Sequence, residues 1–172
     1  MQRKRNAPTE EILNTLLEGT ELLLEWMENP HAQRRRIRGI LTHEEWEKIF
    51  GDQKKKAALR RMKKKKWIMD RELGDTVAFE LSNQAIIEYL KASIKREPSR
   101  PGTRETLVVF DFPEAAQSGR KGWRRLLKTL GFKRLQLSVW STMRDIGDQI
   151  LALVKALKIE KWVRVYSGTQ LS

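Results

Sequence analysis

Cysteine is absent from this chain of 172 residues, histidine is scarce, and no long apolar run occurs. Without cysteine the chain can form neither a disulfide bond nor a thiolate-ligated zinc site, and its two histidines, His31 and His43, have no partner at metal-ligand spacing. No segment approaches the roughly 18 apolar residues of a membrane helix, and the amino terminus leads into an acidic amphipathic segment rather than a signal peptide. The sequence therefore predicts a cytoplasmic protein.

Positive charge is what the chain has in excess, because 35 Lys and Arg against 22 Asp and Glu give a net charge of +13. Such an excess favours polyanionic partners through counterion release and long-range attraction. Nucleic acid is the leading partner class, although a solvated basic surface or an anionic membrane would carry the same total. The placement of the charges along the chain has to distinguish nucleic-acid binding from these two alternatives.

A linker divides the chain. Residues 97–104, EPSRPGTR, contain two prolines, a glycine and no apolar residue, and this composition cannot pack into a core. We therefore expect a first domain at residues 1–96 and a second at residues 105–172, each with a modest core of its own.

The first domain begins with patterns that predict a helix-turn-helix. Residues 9–28 form an acidic amphipathic helix, and HAQRRRIRGIL could hold a short strand. Thr42 with Glu45 forms a capping box that starts a short helix. This helix ends at Gly51, and Asp52 is a good N-cap for a further helix, so two helices meet at a tight turn.

The further helix, QKKKAALRRMKKKKW, contains no acidic residue and has a narrow apolar stripe of Ala58, Leu59 and Met62. After it, WIMDREL and TVAFELS flank a Gly74–Asp75 pair that suits a two-residue hairpin, and Ser82 can cap a last helix. This order predicts a winged helix-turn-helix, whose second helix enters the major groove of DNA.

A solvated face is the alternative interpretation of the basic helix, and residues 63–66 at its end could serve the helix macrodipole instead. The capped turn before the helix and the hairpin after it favour contact with DNA. We expect the residues nearest the bases to be Gln53, Lys54, Lys55 and Lys56, those at phosphates to be Arg60, Arg61 and Lys64, and the wing contact to be Arg71.

The second domain opens with TLVVFDFPEA, a strand that ends on Asp111. A helix follows from about Ser118 to Gly131, then FKRLQLSVWST, another helix, and the closing strand WVRVYSG. This is one strand short of a ferredoxin-like unit unless the middle run bends, and it offers no turn residue there. The outer face of the first of these helices is purely basic and consists of Arg120, Lys121, Arg124, Arg125 and Lys128.

The segments LVVFDFPE, RRLLKTLGFKRLQLSVW and WVRVYSG resemble the small CRISPR-associated adaptation nuclease, which has a ferredoxin-like fold. From about Thr9 to Gly168 the chain is similar to the phenylacetate-degradation repressor (PaaX) family, in which a winged helix precedes such a domain. The resemblance implies an α+β chain with an N-terminal winged helix-turn-helix and a ferredoxin-like (βαββαβ) domain. It also implies that the middle run bends into two strands and that the second domains pair through their sheets into a homodimer.

Asp111 occupies the place of the proposed metal ligand of the nuclease, where one aspartate from each subunit faces the other across the dimer axis. The resemblance therefore implies a possible Mg²⁺ site shared by two chains, and one carboxylate per chain suffices only if symmetry brings two together. From the residues alone, Asp111 could equally cap the strand by accepting backbone hydrogen bonds from the turn at Phe112 and Pro113.

The combined expectation is a homodimeric, sequence-specific duplex-DNA-binding transcriptional regulator, acting as a repressor, with no required cofactor and no membrane partner. The alternative is a Mg²⁺-dependent nuclease that uses Asp111, or a non-catalytic nucleic-acid scaffold, in which the basic helix from Arg120 to Lys128 holds the substrate. A basic RNA-associated protein is the third reading. Members of the repressor family typically continue into a further domain beyond the last strand, so the effector stays unknown and a phenylacetyl-CoA-like ligand is not expected.

Overall fold

A computed structural model describes residues 7–17, 37–98 and 104–169 of the chain. The chain forms two compact units, Met1–Tyr89 and Leu90–Ser172. Their boundary lies within a helix, and Ile94, near the end of that helix, accepts a hydrogen bond from Arg144 within the second unit. None of the described helices has the length and apolar character needed to cross a membrane.

The first unit and the helix that leaves it follow the predicted order of elements. Its predicted first helix is described only as far as Leu17, and residues 18–36, which include the rest of that helix and the start of the predicted strand, lie outside the described residues. The elements are α1 (Ala7–Leu17), β1 (Ile37–Thr42), α2 (His43–Phe50), α3 (Gln53–Lys64), β2 (Ile68–Leu73), β3 (Thr76–Leu81) and α4 (Asn83–Arg96).

Strands β1, β3 and β2 form an antiparallel sheet in that order. Gly74 adopts φ +59° at the first position of the two-residue hairpin turn, a conformation that glycine reaches without steric cost. The alternating residues Val77, Phe79 and Leu81 of the central strand are buried, as the pattern of the sequence predicted. Helix–turn–helix followed by a hairpin in a three-stranded sheet is the arrangement expected of a winged helix.

Both predicted helix caps are present in the first unit. The Thr42 hydroxyl accepts a hydrogen bond from the Glu45 amide at 3.2 Å, and the Glu45 carboxylate accepts one from the Thr42 amide at 2.8 Å. Asp52 Oδ1 accepts hydrogen bonds from the amides of Lys54 and Lys55 at 2.5 and 3.4 Å. These contacts satisfy amides that have no partner inside a helix, so they fix where α2 and α3 begin.

The second unit is ferredoxin-like, as the resemblance implied. Its strands form one antiparallel sheet in the order β5-β6-β4-β7, with β4 between β6 and β7. The middle run does bend, at Leu137 and Ser138, into the two strands that the fold requires. The elements are β4 (Glu105–Phe110), α5 (Gln117–Thr129), β5 (Lys133–Gln136), β6 (Val139–Thr142), α6 (Gly147–Leu157) and β7 (Val163–Gly168).

The two faces of this sheet differ. On the central strand β4, the side chains of Thr106, Val108 and Phe110 are buried, and both helices lie on this side. The Thr106 hydroxyl accepts a hydrogen bond from the amide of Ile146 just before α6, and the guanidinium of Arg124 from α5 lies over the Phe110 ring. The alternate residues of β4 point to the opposite face, which no described helix covers and which we call the open face.

Candidate nucleic-acid interface

Helix α3 presents a basic surface on a thin apolar support. Its buried residues are Ala58, Leu59 and Met62, which recur at helical spacing and attach the helix to the core of the first unit. It contains no acidic residue, so no cation of α3 is neutralised within the helix itself. The exposed residues around the stripe are Gln53, Lys54, Lys56, Arg60, Arg61, Lys63 and Lys64.

Lys55 differs from the other residues that we expected near the bases. Its ammonium lies 2.7 Å from the carboxylate of Glu11 in α1, and only 25% of its side chain is exposed. Helix α1 therefore occupies the flank of α3 on which Lys55 lies. Lys56 is nearly half exposed, and its ammonium lies 3.6 Å from the Glu47 carboxylate, within reach of both this partner and solvent. The side of α3 open to a polyanion is the one that carries Lys54, Arg60 and Arg61.

The hairpin carries the predicted wing contact Arg71, which is exposed on β2. Its neighbours are mostly acidic: Glu72 and Asp75 are exposed, and the Asp70 carboxylate lies 2.7 Å from the Lys63 ammonium of α3. This ion pair joins the wing to the end of the basic helix. Because the hairpin otherwise carries negative charge, the wing offers a polyanion one cation at most.

The hairpin turn is also held at its tip. Nε2 of His43, the first residue of α2, lies 3.0 Å from the Gly74 carbonyl oxygen, and the His43 amide donates to the Asp75 carbonyl at 3.3 Å. The start of α2 and the wing tip are thereby fixed to each other. His43, which has no partner at metal-ligand spacing in the sequence, thus has a structural partner 31 residues away.

The basic face predicted on α5 divides into two groups. Arg120 donates to the Phe112 carbonyl oxygen at 2.5 Å and Arg124 donates to the Leu137 carbonyl oxygen at 3.0 Å, and both side chains are half-buried. These two arginines hold the exit of β4 and the turn between β5 and β6. The residues that remain exposed to solvent on the helix are Lys121, Arg125 and Lys128.

Asp111 is exposed directly after β4. Its amide donates to the Trp162 carbonyl oxygen at 2.9 Å, while its carboxylate makes no hydrogen bond or ion pair with the described residues. The turn after it closes through its own backbone, because the Ala116 amide donates to the Pro113 carbonyl oxygen. The strand-cap interpretation of the carboxylate is therefore wrong. No group of three potential metal ligands occurs among the described residues, so this part of one chain does not supply Asp111 with two further ligands.

Arg144 is a structurally important residue that the sequence analysis missed. Its guanidinium donates to the carbonyl oxygens of Ile94 and Leu130, which lie at the carboxyl ends of α4 and α5, and also approaches the Thr142 hydroxyl. Burial lowers the pKa of Arg144, and the nearby Glu97 carboxylate opposes that shift. A planar group with five donors can satisfy several helix-end carbonyls at once. No local signal in the sequence indicates this role.

The open face of the second sheet combines apolar and polar side chains. Leu107 on β4 pairs with Tyr166 on β7, and Tyr166 is 53% exposed. Together with Leu135, which is 60% exposed, they line a shallow depression of about 380 Å³. Asp111 follows Leu107 and Val109 at the spacing of this face, so a partner covering the face would come close to its carboxylate.

One comparison with known proteins bears on these surfaces. Residues 103–172 match the family model described as the PaaX protein central Cas2-like domain. The match covers the whole of the ferredoxin-like sheet and its helices. No curated protein matches the chain.

Proposed function

We propose that this chain, a PaaX-like family member through residues 103–172, is a transcriptional repressor that binds duplex DNA as a homodimer. The observation that carries the proposal is helix α3. It is capped at its start by Asp52, contains no acidic residue, and exposes Lys54, Arg60 and Arg61 on the side away from Glu11. A helix of this kind after a tight turn suits the major groove, where cations bind phosphates and residues of the first turn reach base edges.

The individual roles follow from position on α3. Gln53, Lys54 and Lys56 lie in the first turn, which in helix-turn-helix proteins faces the bases, and Gln53 can both donate to and accept from a base edge. Arg60, Arg61 and Lys64 lie further along the helix and bind phosphates. Lys55 contributes to affinity only when Glu11 releases it, and Arg71 contributes one contact from an otherwise acidic wing.

The homodimer is proposed to form through the open face of the second sheet. Leu107, Leu135 and Tyr166 supply the apolar centre, and exposed apolar side chains grouped on one sheet face are typical of an interface. A twofold axis would make this contact self-complementary and would present two α3 helices to one duplex. Two α3 helices bound one turn of the DNA duplex apart would read a palindromic site.

Selection of bound fragments from a random duplex pool tests the proposal most directly. The expected result is an enriched palindrome, bound with an affinity that falls steeply as salt rises. The variant Arg60→Gln/Arg61→Gln removes two exposed cations of α3, and we expect the log-log salt slope to become shallower by about 1.8 per chain. The matched control Lys158→Asn/Lys161→Gln removes two exposed cations of the second unit, and it should leave the slope near that of the wild type.

Three outcomes would contradict the proposal in whole or in part. Duplex binding that is absent or insensitive to salt would exclude a DNA-binding role for α3. If the salt slope becomes equally shallow in the α3 variant and in the matched control, total charge rather than this helix determines binding. An enriched site without twofold symmetry would leave the DNA-binding role in place and would contradict the homodimer.

A metal-dependent nuclease is the second candidate, favoured by the exposed carboxylate of Asp111, which has no partner among the described residues. If two open faces meet, two such carboxylates approach each other, and carboxylate oxygens are the ligands that Mg²⁺ prefers. Cleavage of single- and double-stranded DNA and RNA with Mg²⁺, with and without chelator, tests this activity. The nuclease candidate fails if chelator and Asp111→Asn leave the products unchanged.

A further inference from the structure

A second basic surface lies on the ferredoxin-like unit. The segment from Ala115 to Arg144 contains eight Lys and Arg and no Asp or Glu. Three of the eight, Arg120, Arg124 and Arg144, donate to backbone carbonyl oxygens and hold the fold together. The five that remain are exposed and have no ion pair with the described residues: Lys121, Arg125, Lys128, Lys133 and Arg134.

Four of these five cations lie on the side of the second sheet that carries the helices. Lys121, Arg125 and Lys128 recur at i, i+4 and i+7, which places them along one side of α5 over about 10 Å. Arg134 follows on β5, after Gly131 has turned the chain at φ +87°, and it pairs with Trp140 on the helix side of the sheet. Lys133 pairs with Ser141 and points to the open face instead. The inward arginines of α5 fix the helix, so the outward cations occupy a surface that is already ordered. We call Lys121, Arg125, Lys128 and Arg134 the α5–β5 basic surface.

We propose that the α5–β5 basic surface binds the phosphate backbone of duplex DNA outside the site that α3 reads. The inference rests on the proposed DNA-binding function and extends it to a longer footprint. A group of cations that has no acidic residues among it and no apolar centre is suited to bind phosphates, since each cation placed at a phosphate releases a condensed counterion. Lys and Arg here position the duplex and carry no base information, so this surface adds affinity without adding sequence preference.

The experiment uses the full-length protein and compares Lys121→Gln/Arg125→Gln with the matched control Lys158→Asn/Lys161→Gln. Lys128 is kept because a cation in the last turn of a helix also stabilises its macrodipole. Affinity for duplexes of increasing length around the selected site is measured over a range of salt concentrations. Unfolding midpoints of both variants are measured alongside to establish that the second unit is intact.

With long duplexes we expect the α5 variant to show a log-log salt slope shallower than wild type by about 1.8 per chain, and an affinity near 0.1 M salt lower by tens of fold. With duplexes just long enough for the α3 site, both variants should bind like the wild type. The order of preference among base sequences should be unchanged in the α5 variant.

The possible failures can be told apart. If the wild type does not bind duplex DNA, or if Arg60→Gln/Arg61→Gln has no effect, the proposed function itself is wrong. If the wild type and the α3 variant behave as expected, but the α5 variant keeps the wild-type slope and length dependence, only the second surface is excluded. It is excluded as well if the matched control loses as much slope on long duplexes, because then net charge alone explains the loss.

Discussion

The N-cap of α3 allows a test that separates the order of the basic helix from its charge. Asp52 Oδ1 accepts hydrogen bonds from the amides of Lys54 and Lys55 at 2.5 and 3.4 Å. The variant Asp52→Ala leaves both amides without this acceptor, and loss of such a cap costs about 1 kcal/mol, in a range of roughly 0.5–2 kcal/mol. The variant Asp52→Asn keeps a good cap and loses only the negative charge near the start of the helix, worth about 0.3–1 kcal/mol.

Amide hydrogen exchange gives the direct measurement. A loss of about 1 kcal/mol in the first turn of α3 speeds exchange at Lys54, Lys55 and Lys56 about fivefold, while amides of the second unit should be unaffected. DNA affinity then distinguishes two opposing effects. Both variants remove a negative charge from the region proposed to face phosphates, which should strengthen binding, but only Asp52→Ala also frays the helix start.

We therefore expect Asp52→Asn to bind DNA more tightly than the wild type and Asp52→Ala to bind more weakly than Asp52→Asn, by about fivefold if the cap loss is expressed fully in binding. Selectivity for the preferred site should fall in Asp52→Ala, because the residues proposed to lie nearest the bases are in the frayed turn. Equal exchange rates and equal affinities in the two variants would refute the reasoning that this cap orders the reading end of α3.

Three further predictions concern contacts elsewhere in the chain. Glu11→Gln should release Lys55 and steepen the log-log salt slope of DNA binding by up to about 0.9 per chain. The free energy of unfolding should change by less than about 1 kcal/mol, because exposed ion pairs stabilise little. An unchanged salt slope would mean that Lys55 faces away from the duplex. Arg144→Lys should lower the free energy of unfolding of the second unit by about 2–3 kcal/mol in denaturant titrations, since an ammonium cannot reproduce a guanidinium that binds two helix-end carbonyls. A change within experimental error would show that these contacts are replaceable. Leu107→Lys should convert the proposed dimer into a folded monomer in sedimentation measurements, whereas a dimer that persists would place the interface elsewhere.

Local signals explain why much of the first unit could be predicted from the sequence. The capping box of Thr42 and Glu45, the N-cap Asp52 and the Gly74–Asp75 turn each act through atoms within a few residues. Such features need no knowledge of the rest of the fold. The buried stripe of α3 was likewise visible as spacing, since Ala58, Leu59 and Met62 recur on one side of the helix.

The bend between β5 and β6 could not be predicted from local sequence, because neither Leu137 nor Ser138 is a strong turn former. The turn is stabilised from outside: Arg124 of α5 donates to the Leu137 carbonyl oxygen, and the Ser138 carbonyl oxygen accepts from the Phe110 amide of β4. Contacts over 13 and 28 residues thus replace the glycine or asparagine that a local turn would use. Only the family resemblance anticipated this strand pair.

The roles of the cations could not be predicted either, because a helical pattern does not say which basic residue lies over a carbonyl oxygen. In the segment from Ala115 to Arg144, every cation that turns inward is an arginine. A guanidinium is more weakly hydrated than an ammonium and offers a fork of donors, so its partial burial over carbonyl oxygens costs less. The lysines of the segment remain at the surface, where the sequence analysis placed them.

This division of the cations limits how strongly salt can affect DNA binding. On the surfaces proposed here, five exposed cations of α3 and four of the α5–β5 basic surface are available to phosphates, namely Lys54, Lys56, Arg60, Arg61, Lys64, Lys121, Arg125, Lys128 and Arg134. Nine phosphate contacts correspond to a log-log salt slope of about −8 per chain. A steeper measured slope would require cations beyond these two surfaces, and a slope near half this value on long duplexes would leave α3 as the only one that binds.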